Sequence, residues 1–130
     1  MSAKRADAVN TAPVGIFVLG MHRSGTSVLA RLLNLLGCKL PRDLLGANES
    51  NPSGHWESLR AIEINDALLR ALGRRWDDVR ELPAGWMQRE EAAAAKLEIR
   101  AFLDREFSGA PLWLLKDPRL CRLGPLWFEV

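Results

Sequence analysis

The stretch Val14-Gly-Ile-Phe-Val-Leu-Gly20-Met-His-Arg-Ser-Gly-Thr-Ser27 decides how the chain is read, and the remaining segments arrange themselves around it. Its first seven residues form an apolar run closed by glycine, the pattern of a strand buried on both faces. From Ser24 onward, Val28, Leu29, Leu32, Leu33 and Leu36 recur at three- and four-residue spacing, which predicts an amphipathic helix. Gly37 is placed to close that helix in a left-handed conformation. Strand, glycine-bearing turn and helix in this order give the context in which a loop can wrap an oxyanion. Gly20 and Gly25 let the backbone bend closely, successive amides can turn inward, and the helix N-terminus adds partial positive charge. Thr26 and Ser27 supply hydroxyl donors.

The spacing fits GxxxxG, but Thr26 stands where a nucleoside-triphosphatase loop carries lysine. Arg23 is therefore the permanent cation within the loop. A plain strand-turn-helix connection is the structural alternative.

Working outward, residues 1–13 carry no periodic apolar pattern and read as a flexible N-terminus. The segment 41–54, rich in Pro, Gly, Asn, Asp and Ser, predicts a loop longer than the usual connection. A second helix is expected over about 58–72, with Leu59, Ile62, Leu68, Leu69 and Leu72 inward and Gly73 ending it. Residues 74–86 are irregular, and 88–107 have strong helix propensity. Gly109-Ala-Pro111 breaks that helix, Leu112-Trp-Leu-Leu-Lys116 reads as a second buried strand stopped by Asp117-Pro118, and Leu120, Leu123 and Trp127 begin a last helix. The expected class is α/β, a parallel sheet with right-handed crossovers flanked by helices. Two strands do not make a stable sheet of that type, and the chain stops on the apolar Leu-Trp-Phe-Glu-Val without a cap. The fold is therefore expected to be incomplete, truncated after its second strand, unless another chain completes it.

Composition narrows the function classes. With 130 residues, 48% hydrophobic and 26% charged, the chain is neither disordered nor fibrous. No apolar run approaches the roughly 20 residues of a membrane helix, and the polar opening lacks the apolar core of a secretory signal. A cytoplasmic location with no membrane span follows as an expectation. Cys38 and Cys121 lie far apart outside any CxxC or Cys/His cluster, which speaks against a disulfide framework or a metal site and suggests reduced core thiols. A net charge of +2 is too mild for a nucleic-acid partner. Its distribution says more: between Asp7 and Asp43 there is no acidic residue, while Arg23, Arg31, Lys39 and Arg42 fall there. Such a stretch suits an anion site or a solvated basic helix face.

Residues 17–33, Phe-Val-Leu-Gly-Met-His-Arg-Ser-Gly-Thr-Ser-Val-Leu-Ala-Arg-Leu-Leu, resemble the 5'-phosphosulfate-binding loop of P-loop sulfotransferases, bacterial members in particular. Asn51-Pro-Ser-Gly-His-Trp-Glu-Ser58 and Leu114-Leu-Lys-Asp-Pro-Arg-Leu120 resemble two further segments of that family in matching order. The likeness runs over about residues 14–130, which would then be the N-terminal part of a single nucleotide-binding domain. It implies transfer of a sulfuryl group from 3'-phosphoadenosine 5'-phosphosulfate (PAPS) to a hydroxyl or amine acceptor, without a metal. Carried over by position, Gly20, His22, Arg23, Ser24, Gly25, Thr26 and Ser27 would hold the phosphosulfate, with His22 orienting the loop. Arg23 and Lys116 would stabilise charge developing on the bridging oxygen. The acceptor needs a base within hydrogen-bond reach. Glu57 is the first choice, with Glu49 and His55 as rivals; a carboxylate at a helix start also has a purely structural role in the helix dipole.

Trp56, Trp76 and Trp86 lie in or beside the expected loops, as core packing or as a platform for a sugar or other acceptor. Arg119 suits either a phosphate contact or a salt bridge within its turn. The family's second nucleotide motif, a later strand-end arginine with a serine on the next helix that grips the 3'-phosphate, has no counterpart in the sequence. Incomplete donor binding by the 130-residue chain is therefore expected. Two other functions stay open: a kinase or nucleoside triphosphatase with a variant loop, using Asp117 for magnesium, and an anion-binding domain without turnover.

Overall fold

The computed structural model describes residues 12–49 and 51–130; the flexible segment read at 1–13 lies, up to Thr11, outside the described residues. Strand β1 (Val14–Val18) leads into helix α1 (Thr26–Leu35), and the long 41–58 excursion leads into α2 (Leu59–Ala71). A 3-10 turn (Trp86–Gln88), α3 (Glu90–Phe107), β2 (Leu112–Lys116) and α4 (Leu120–Phe128) follow. The class is α/β, a two-stranded parallel sheet flanked by helices. Its register pairs Val14 with Leu112 and Val18 with Lys116, so both strands end at the same edge. Lys39 adds a parallel rung to β2: its amide donates to the Leu112 carbonyl at 3.0 Å and its carbonyl accepts from the Leu114 amide at 2.9 Å.

Alternation along β2 divides the core. Leu114 faces Val18, Ala30 and Cys38 on the α1 side, whereas its neighbour Leu115 joins the large cluster built by α2, α3 and α4. The alanines of α3 let it pack closely; Ala92, Ala95, Ile99 and Phe102 form its buried stripe. Helix α2 starts cleanly because the Ser58 hydroxyl accepts from the Ala61 amide at 3.1 Å. A buried polar chain fixes the turn after β2: Trp127 Nε1 donates to Asn65 Oδ1 (2.8 Å), and Asn65 Nδ2 donates to Asp117 Oδ2 (2.8 Å). Asp117 Oδ1 accepts from the Arg119 amide (2.9 Å) and guanidinium (3.0 Å).

Several sequence expectations are corrected. Strand β1 is not buried on both faces: Val18 is buried, but Val14 is 55% exposed. Helix α1 rests on the sheet through Thr26 and Ala30, with Leu33 partly covered. Val28, Leu29, Leu32 and Leu36 of its apolar stripe are exposed, as is Leu35 beside them, because the stripe is wider than the contact. On α2, Ala61 and Ile64 take inward positions while Leu59 is exposed. Cys38 is a buried thiol, but Cys121 is exposed on α4.

Candidate functional site

Parallel register places the 20–27 loop and Lys116 at one edge of the sheet, beyond the carboxyl ends of the strands, where open α/β sheets bind ligands. Gly20 is required there by close approach: a Cβ would lie 2.5 Å from Thr26 Cγ2 and 2.8 Å from Ser24 Oγ. Gly25, the residue before α1, takes a left-handed φ of 83°. Arg23 also lies in the left-handed region at φ 64°, which costs a non-glycine residue about 1–3 kcal/mol and is characteristic of functional loops. Ser24 Oγ donates to the Met21 carbonyl at 2.5 Å and tightens the turn. Among the described residues, no side chain caps α1 and no acidic residue occupies its first turn. Its leading amides and positive dipole end thus favour an anion.

The floor of the site is formed by two residues 59 apart in sequence. Lys116 Nζ donates to Glu57 Oε1 at 2.6 Å, to the His55 carbonyl at 2.9 Å and to Ser27 Oγ at 3.4 Å. Both side chains of this ion pair are almost wholly withdrawn from water, 5% and 4% exposed. Glu57 reaches this position because the 41–58 excursion is bonded across its base. The Leu45 amide donates to the Glu57 carbonyl at 2.7 Å, and the Leu59 amide donates to the Asp43 carbonyl at 3.0 Å. Asp43 Oδ2 further accepts from Ser58 Oγ at 3.0 Å and the Arg60 amide at 2.8 Å. The two ends of the excursion are therefore tied to each other.

A cavity of about 850 Å³ opens above this floor, lined by His22, Arg23, Gly25, Thr26 and Ser27 from the loop and by Glu57 and Lys116 beneath. Among the described residues its lining carries three cations, Arg23, Arg31 and Lys116, against one carboxylate, Glu57. Trp56 and Trp76 form walls: the Arg31 guanidinium lies 5.2 Å from the Trp56 ring centre, and the His22 imidazole lies 4.9 Å from that of Trp76.

The structure thus brings Arg23, Glu57, Lys116 and most of the loop to one cavity and separates the other candidates. Glu49 is exposed and does not line it. His55 does, and its Nε2 is enclosed with no hydrogen-bond partner among the described residues. Trp86 packs against the main core. Arg119 is taken by Asp66 and Asp117, so the salt-bridge alternative holds for it. Asp117 is fully buried, with both oxygens engaged, and does not line the cavity. Sequence reasoning did not single out Asn51 and Ser53 as lining residues, and it placed Arg31 only within a basic stretch that suits an anion site or a solvated helix face. For Arg31 a signal existed: four residues after Ser27, it falls on the same helix face. Comparison with protein-family models, with curated proteins and with solved structures finds no match for the chain.

Proposed function

We propose that the chain carries the phosphosulfate end of a P-loop sulfotransferase site and moves a sulfuryl group from PAPS to a hydroxyl or amine acceptor. One observation carries the proposal: a glycine loop without the triphosphatase lysine stands directly over a buried Lys116–Glu57 pair in one cavity. The loop suits a phosphosulfate, since Gly20 leaves no space for a Cβ and the start of α1 has no side-chain cap of its own. The donor supplies an activated sulfuryl group, whose bond to the phosphate oxygen breaks as the acceptor oxygen bonds to sulfur.

The chain's residues divide the remaining work. Arg23 and the loop amides hold negative charge at the mouth of the loop. Lys116 holds its ammonium beneath the loop, its three N–H groups directed to Glu57, the His55 carbonyl and Ser27, and its positive charge acts from below on the side where the departing oxygen gains charge. With Oε1 on Lys116, Glu57 has Oε2 to take the acceptor's proton. Asp117, the residue a magnesium-dependent kinase would need, is locked to Asn65 and Arg119, which supports sulfuryl over phosphoryl transfer. The cysteine pattern supports placing this chemistry in the cytoplasm.

The test is PAPS turnover by the full chain with a panel of sugar, phenol and amine acceptors. Arg23→Ala is expected to lower turnover at least about a hundredfold, the scale of losing one preorganised charge-stabilising group. Glu57→Gln should abolish transfer while adenosine 3',5'-bisphosphate still binds. Unchanged turnover in Arg23→Ala removes it from the mechanism, and bisphosphate binding without transfer to any acceptor favours a binding domain.

A further inference from the structure

We propose that the outer half of the cavity is a carbohydrate platform, so that the acceptor hydroxyl belongs to a sugar; this rests on the sulfuryl-transfer reading of the floor. Two indoles line the cavity, Trp56 and Trp76. Trp56 is held with φ 60°, a backbone conformation a bulky residue adopts only when its surroundings impose it. Arg31 lies over its ring. Trp76 stands at the rim, 43% exposed, beside His22 of the phosphate loop.

The segment that carries Trp76 is fastened by guanidinium groups. Arg122 on α4 donates to the carbonyls of Asp78 at 2.8 Å, Arg80 at 2.5 Å and Arg75 at 3.3 Å. Arg74 Nε donates to the Glu81 carbonyl at 2.9 Å. Arg122 is therefore a positioning residue: a single cation ties three carbonyls and holds an indole ready at the mouth. Such preorganisation lowers the ordering cost of binding.

Polar groups complete the surface. Asn51 and Ser53 bring an amide and a hydroxyl into the same cavity, and Arg31 brings a guanidinium. With Arg31 over the Trp56 ring, the exposed Trp76 indole, edged by hydrogen-bonding groups, matches a pyranose, whose C–H face stacks on it while its hydroxyls reach outward. A small phenol is better served by an enclosed apolar slot. Here Val28 and Leu32 on the cavity wall are 65% and 53% exposed, so the cleft is open and can admit one residue of a longer glycan.

The test is calorimetry on the full chain with cellotetraose, chitotetraose and maltotetraose, with 2-naphthol as a planar apolar probe and adenosine 3',5'-bisphosphate as a separate arm. At least one tetrasaccharide is expected to bind with a Kd of about 1 mM or below, and Trp76→Ala to weaken it at least about tenfold. No tetrasaccharide binding at about 10 mM overturns the proposal, whether or not 2-naphthol binds, and so does tetrasaccharide affinity unchanged by Trp76→Ala. Trp76-dependent sugar binding without bisphosphate binding would retain the platform and sink the sulfuryl-transfer assignment, so the two failures are distinct.

Discussion

Replacing Lys116 by methionine probes the floor of the site most sharply. The substitution keeps most of the side-chain volume but removes the ammonium that touches Glu57 at 2.6 Å, in surroundings where both side chains are about nineteen-twentieths buried. At an effective dielectric near 20 the attraction across such a contact is about 6 kcal/mol, most of it cancelled by the cost of taking two charges out of water. Once one partner is gone, only that cost remains, and the expected loss is about 3–5 kcal/mol. The His55 carbonyl loses its 2.9 Å donor as well, adding to the loss. Set against a typical total stability of about 5–15 kcal/mol, the variant should be marginal but measurable at low temperature. Urea unfolding followed by tryptophan fluorescence reads the change for Lys116→Met, Glu57→Leu and the double variant. The double variant should recover at least about 2 kcal/mol relative to the sum of the singles, because no charge is left buried without a partner. Single losses below about 1 kcal/mol that simply add would mean that the pair is solvated like a surface pair, and would refute its placement as a desolvated floor.

Two further outcomes follow from geometry elsewhere. Gly20→Ala drives a methyl group to 2.5 Å from Thr26 Cγ2, at the buried first residue of α1, and should cost about 1–3 kcal/mol in urea unfolding while abolishing bisphosphate binding; full binding would show that the loop does not need the close turn. Burial pushes the Glu106 carboxyl up, but the Arg42 amide and the Arg105 and Arg42 guanidinium groups outweigh it and hold the carboxyl below its ordinary value of 4.5. Because the folded value lies below the unfolded one, this stabilisation is complete above the ordinary value and is lost as pH falls through the folded one. Glu106→Gln should therefore flatten the acid side of the stability profile, measured as urea midpoints at descending pH, and an unchanged profile would contradict this role.

Much of the fold was legible because it is written in local patterns. The apolar run ending at Gly20, the period of α2, the helix propensity of α3, and the break at Gly109-Ala-Pro111 each report on neighbours in sequence. Lys116 was legible as a strand-end cation for the same reason. Tertiary pairings were not: nothing local marks Glu57 as the partner of a lysine 59 residues away, or Arg122 as the clamp of the Trp76 segment. Periodicity also states which helix face is apolar without stating what covers it. Leu32 and Leu36 therefore read as buried although they are exposed, while Ala30, the small residue where α1 meets the sheet, drew no notice. Cys121 was misread on composition alone, since cysteine is usually buried but here falls on the outer face of a short helix.

The most direct measurement of the central claim is a calorimetric titration of the full chain with adenosine 3',5'-bisphosphate and, separately, with ATP and magnesium. A loop that lacks the triphosphatase lysine, above a floor that presents Lys116 and Glu57 with Asp117 locked away, predicts tighter binding of the bisphosphate. Tighter binding of ATP with magnesium would contradict a sulfuryl-transfer site.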